Sequence, residues 1–90
     1  MKNAMNYVGV DISKLSFDVA IANGAKYAHH KFDNNQAGFT VFLKALSSES
    51  KVEMEASGPY YLKPASFLAN KSIAVSVINP LVIVDFARCE

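Results

Sequence analysis

Two carboxylates stand near the ends of segments that otherwise read as the interior of a sheet. Asp11 follows the apolar, β-branched run of "YVGVDISK" (Tyr7 to Lys14), and Glu55 closes the alternating run of "KVEMEA" (Lys51 to Ala56). Two carboxylates brought close together repel each other and lose hydration unless a cation joins them. A hard divalent ion, Mg²⁺ or Mn²⁺, suits the task, because it takes oxygen ligands and needs only one or two protein carboxylates beside water and substrate phosphates. A pair of such ions activates an attacking water or hydroxyl and stabilises the leaving oxygen in phosphodiester chemistry. Gly9, two residues before Asp11 on the same face of an extended strand, leaves room beside it.

Whether the two acids meet depends on the elements that carry them. Tyr7 to Ile12 reads as a first strand, and Leu15 to Ala22 as a second, joined to it by the short Ser13–Lys14 turn. Asn23–Gly24 signals a tight turn, after which Lys26 to Phe32 returns as a third strand. The period then changes: Phe39, Phe42, Leu43 and Leu46 fall on one stripe of a helix that Asn34 or Asn35 is placed to cap.

Lys51 to Ala56 alternates again, with Val52, Met54 and Ala56 on one face and Glu53 and Glu55 on the other. A second helix is expected from Leu62 to about Asn70, with Pro64 in its first turn, where a missing N–H costs nothing. Ser72 to Ile78 is a fifth strand. Asn79–Pro80 supplies a cap and a first-turn proline, which predicts a last helix from Leu81 to about Cys89.

The order β-β-β-α-β-α-β-α, a meander followed by two right-handed crossovers, matches the ribonuclease H-like fold. The expected architecture is α/β, a mixed five-stranded sheet of order 3-2-1-4-5 flanked by helices. The first and fourth strands are then parallel central neighbours, and Asp11 and Glu55 lie at adjacent carboxyl ends, where the crevice of such a sheet opens.

Composition sets bounds on partners. The chain of 90 residues is 51% hydrophobic and 19% charged, which is the balance of a folded domain and not of a disordered tail. A net charge of +1, with lysines and arginines scattered, provides no broad basic field. Cys89 is the single cysteine, so no intrachain disulfide forms, and a reducing, cytoplasmic compartment is expected. "MKNAMNYVG" lacks the apolar core of a signal peptide, and the most apolar segment is interrupted at Asn79–Pro80, so no membrane association is expected.

The ordinary alternative for Asp11 is a strand end that accepts backbone hydrogen bonds in the Ser13–Lys14 turn or pairs with Lys14, and for Glu55 a solvated strand end. Glu53 shares the face of Glu55, and Asp18 would stand beside Asp11 only in one hairpin register. His29 and His30 are neighbours in a strand and point to opposite faces, which argues against a shared metal. Tyr60, Tyr61 and Phe67 could stack on bases but suit a helix packed on a sheet. Lys14 could reach a nucleic-acid phosphate. Cys89 reads as a small buried hydrophobe.

The segments "YVGVDISKLSFDVAIA", "FDNNQAGFTVFLKAL", "VEMEASGPYYLKPASFLANKSIAVSVINP" and "LVIVDFA" resemble, in order and spacing, the N-terminal domain of the DEDD-type transposases of bacterial insertion sequences, relatives of the Piv-type DNA invertases. The match spans Tyr7 to Ala87, and its most specific parts are Gly-Val-Asp-Ile-Ser-Lys, Glu-Ala-Ser-Gly with a following Tyr, and Asn-Pro. Pro59 and Tyr61 depart from it, standing where the family often has Gly and His.

The resemblance implies a RuvC-like nuclease domain in which four acids hold divalent metal for DNA strand cleavage and transfer. Asp11 and Glu55 are the first two. The other two belong to an Asp-x-x-Asp element that Asp85 and Glu90 do not match. The chain is therefore expected to be the N-terminal part of that domain, without the remaining acids and the C-terminal domain, and inactive alone. DNA, a structured guide RNA and further copies of the chain are the implied partners. Two other readings are a non-catalytic nucleic-acid-binding or dimerisation module and an actin-like ATP-binding lobe; "DISKLS" lacks the glycine-rich turn that the latter requires.

Overall fold

β1 (Tyr7–Ile12) alternates strictly, with Val8, Val10 and Ile12 buried and Tyr7, Gly9 and Asp11 exposed. In the computed structural model, which describes residues 7–56, 58–78 and 83–85, this strand lies at the centre of a mixed sheet. β2 (Ser16–Asn23) and β3 (Lys26–Asp33) follow as an antiparallel meander. Gly24, with φ 66°, takes the first central position of the two-residue turn between them, which needs a residue free to adopt positive φ.

α1 (Gln36–Lys44) starts at Asn35, whose side-chain oxygen accepts a 2.9 Å hydrogen bond from the Gly38 N–H. Gly38 is a steric necessity, because a Cβ there would overlap the Asp33 carbonyl and drive the helix away from the end of β3. β4 (Lys51–Ala56) pairs parallel with β1. A single 3₁₀ turn (Pro59–Tyr61) leads into α2 (Leu62–Asn70), with Pro64 in its first turn as the sequence predicts. β5 (Ala74–Ile78) then pairs parallel with β4.

The sheet order over these five strands is 3-2-1-4-5, the ribonuclease H-like arrangement. One expectation fails. Ile83–Asp85, placed by the sequence within a final helix, forms instead a short strand, β6, antiparallel to β5, so the sheet has six strands among the described residues. The competing influence is the edge of β5, whose backbone groups would otherwise lack sheet partners, and the β-branched run around Ile83 is suited to cover it. The Asn79–Pro80 cap and Cys89 lie outside the described residues.

Both helices pack on one face of the sheet. Phe17 sits at the centre, with ring centroids 5.6 Å from Phe32, 6.2 Å from Phe39 and 5.3 Å from Phe42. Met54, Val75, Val77, Ala65 and Leu68 extend the same core beneath α2. Each large side chain so buried contributes about 1.5–3 kcal/mol, which makes this face the main source of stability.

α2 ends in a Schellman arrangement: the Ile73 N–H donates to the Leu68 carbonyl at 3.0 Å, and the Ser72 N–H to the Ala69 carbonyl at 3.0 Å. Ser72 carries the left-handed conformation, φ 65°, that glycine usually takes there. Ser72→Gly is expected to raise stability by roughly 0.5–1 kcal/mol, because it relieves the Cβ clash of that conformation against some added chain entropy. Urea denaturation of the two proteins measures it, and an unchanged or lowered midpoint would refute the strain.

Candidate active site

The face opposite the helices carries the chemistry-bearing residues. In β1 and β4 the parallel register sets Asp11 opposite Glu55 and Gly9 opposite Glu53. The antiparallel register of β1 with β2 sets Asp11 opposite Asp18, which in turn faces Lys31 of β3. Cross-strand partners share a face, and adjacent strands run about 4.8 Å apart. Lys31, Asp18, Asp11 and Glu55 thus form one row across four strands, all exposed.

The register settles what the sequence leaves open for Asp18: the carboxylate stands beside Asp11. Its cation is Lys31, with Nζ 3.8 Å from Oδ1 and side chains 67% and 61% exposed, an ion pair of small energetic value. Asp11 and Glu55 make no ion pair among the described residues. The Ser13–Ser16 turn does not use Asp11 either; the Ser13 N–H and hydroxyl both donate to the Ser16 carbonyl at 2.9 Å. Neither ordinary role suggested for Asp11, turn closure or pairing with Lys14, is therefore filled.

An open concavity of about 890 Å³ lies over this row, lined among others by Gly9, Asp11, Asp18, His29, Glu53 and Glu55. A Cβ at Gly9 would meet nothing within 4 Å, so this glycine is not required by packing and leaves the floor bare. The register puts His29 opposite Ala20 and His30 opposite the buried Val19, so the two point to opposite faces, although both border the concavity. Tyr61 and Phe67 pack on the core, while Tyr60 is 45% exposed. Lys14 is exposed in the turn beyond Asp11.

Among the described residues no group of three or more His, Cys, Asp and Glu is arranged to hold a metal ion. The donor set at Asp11 and Glu55 is nonetheless of the right kind: two hard oxygen donors in register on one open face, the number that Mg²⁺ takes from a protein when waters and phosphates supply the rest.

Like charges directly opposite each other in a sheet are destabilising. Asp11→Asn is therefore expected to stabilise the metal-free protein by about 0.5 kcal/mol at low salt, with the gain shrinking as salt screens the row. Thermal unfolding at two ionic strengths tests this, and a destabilised variant would mean that Asp11 has a structural partner.

Residues 8–90 match the DEDD transposase family of the IS110 type, described as a transposase. The pilin gene-inverting proteins of Moraxella lacunata and Moraxella bovis are each 33% identical to the chain over 88 residues, which cover 91% of it and 27% of each relative. The chain thus spans about a quarter of the length of these curated relatives. Among solved structures, the type II variant of the Aquifex aeolicus Ppx/GppA phosphatase shares 13% identity at a TM-score of 0.43, over 84% of this chain and 36% of that one. The match to the family runs through both strands that carry the paired acids and nearly the whole sheet around them, and the chain belongs to the DEDD transposase family.

Proposed function

We propose that the chain supplies Asp11 and Glu55 as the first two acidic ligands of a divalent-metal site, Mg²⁺ or Mn²⁺, for DNA strand cleavage and transfer in a transposase or site-specific recombinase. The observation that carries this reading is the direct parallel pairing of Asp11 with Glu55, on an open face where no described cation pairs with either. Family membership makes recombination of DNA the natural activity of the whole protein. When bound, the ions would supply a polarised nucleophile and a stabilised leaving oxygen.

The chain's own residues have separate tasks in this reading. β1 and β4 hold the two carboxylates at adjacent strand ends, the bare floor at Gly9 admits a phosphate backbone, and Lys14 contacts a phosphate from the neighbouring turn. The asymmetry within the row follows as well: Asp18 is occupied by Lys31, which leaves Asp11 and Glu55 as the pair in need of a cation. A structured guide RNA, self-association and a cytoplasmic location belong to the same proposal. Among the described residues no helix is long and apolar enough to cross a membrane.

Calorimetric or paramagnetic-resonance titration with Mn²⁺ tests the site. Wild-type protein is expected to bind, and Asp11→Asn/Glu55→Gln to bind at least about tenfold more weakly, the equivalent of about 1.4 kcal/mol. Equal affinity in the double variant would remove the two acids from the reading. The remaining two acids being assigned to an element not found in this sequence, the 90-residue chain alone is expected to perform no strand transfer. Metal-dependent DNA cleavage by the purified chain, abolished by Asp11→Ala, would show that expectation to be wrong.

A further inference from the structure

Asn34 lies between β3 and α1, remote in sequence from both acids. Its side-chain Nδ2 donates to the Ser13 carbonyl at 2.9 Å and to the Tyr60 carbonyl at 3.2 Å. Ser13 begins the turn just beyond Asp11, and Tyr60 lies in the 3₁₀ turn that follows Glu55 and β4. The backbone N–H of Asn34 also donates to the Leu15 carbonyl at 2.9 Å. One half-buried residue thus ties together the two chain segments that leave the acid-bearing strands.

Asp11 and Glu55 are each the next-to-last residue of their strands, where ladder hydrogen bonds run out and the ends are freest to fray. The register sets the two acids opposite each other, but only one further pair, Ile12 with Ala56, secures those ends, so how firmly the acids stay there depends also on what holds the chain beyond them. An amide is the side chain that can do so for two segments at once, since its NH₂ group offers two donors in a fixed plane, one for each carbonyl. Asn34 is itself held: Gly38 lets α1 start directly against the Asp33 backbone, and Asn35 caps that helix.

We propose that Asn34 is a positioning residue that steadies the separation of Asp11 and Glu55 by clamping the turns beyond them. The proposal rests on the reading of those two acids as metal ligands. It assigns to Asn34 an influence on metal affinity that exceeds its influence on overall stability. The neighbouring Asn35 is the natural control, because its cap supports the fold without touching either turn.

The test compares wild type, Asn34→Ala and Asn35→Ala in the same Mn²⁺ titration, together with urea unfolding and amide hydrogen exchange at the ends of β1 and β4. Asn34 touches neither carboxylate and acts only through the turns beyond them. Asn34→Ala is therefore expected to weaken Mn²⁺ binding by up to about tenfold, the low end of the cost of losing a group that directly orients a ligand, and to speed exchange at both strand ends. Asn35→Ala is expected to lower the unfolding midpoint with Mn²⁺ affinity unchanged. Wild-type affinity in Asn34→Ala, or an equal loss in Asn35→Ala, would overturn the clamp while leaving the metal site standing. A flat wild-type titration would instead remove the metal reading and the clamp's role with it. If Asn34→Ala does not fold, Asn34→Gln decides the matter in the same titration: it keeps both donors but displaces them by one methylene, and unchanged affinity would count against the clamp.

Discussion

The pairing of β1 on both sides governs the rest of the structure. Hydrogen-bonded antiparallel to β2 and parallel to β4, it fixes which side chains of three strands share a face. Val8, Val10 and Ile12 are thereby committed to the helices, and Gly9 and Asp11 to the open side. A slip of one residue would exchange these sets, placing Asp11 in a core with no described cation and exposing three β-branched side chains. The hydrophobic face therefore enforces the register, and the register in turn sets Asp11 against Glu55. The acids are aligned by a preference to which they contribute nothing.

The two sides of the sheet divide stability and function. The helix-covered side holds the hydrophobic core of the described residues, from Phe17 and its aromatic neighbours to Leu68 and Val77. On the other side lie a row of three acids and one lysine, an isolated glycine and a weak exposed ion pair, none of which contributes much to folding. A small domain has little free energy to spare. Carrying Asp11, Asp18 and Glu55 side by side is then tolerable only because water still reaches them.

Much of this was legible in the sequence where a single physical preference acted alone. The alternation of Val8, Val10 and Ile12, the helical stripe at Phe39 and Phe42, and the first-turn position of Pro64 located β1, α1 and α2 within about two residues. The order of the five main strands followed from connection rules. The segment at Ile83–Asp85 was misread because its short β-branched run carries no decisive period, so the cap signal of Asn79–Pro80 outweighed the need of the β5 edge for a partner. The placement of Asp18 beside Asp11 requires the hairpin register, and the two-residue Ser13–Lys14 turn expected from the sequence does not give it: Ile12 pairs with Phe17, so the turn runs over Ser13–Ser16. Tyr60, expected to suit the core, is exposed because the turn before α2 presents it outward.

Asn34 was legible only as a possible helix cap, and the cap is its neighbour Asn35. The reason is physical. Periodicity reports what a side chain contributes to burial, and caps report local backbone satisfaction, but a side-chain amide that bridges Ser13 and Tyr60 joins segments far apart in sequence. Such contacts arise only once the sheet has brought the strand ends together. The same holds for the pairing of Asp11 with Glu55, so the features that turn two scattered acids into one site are the features that local sequence signals describe least. They become visible when the topology is imposed, because the carboxyl ends of β1 and β4 are then the one place where both acids, the turns beyond them and the start of α1 must all be accommodated.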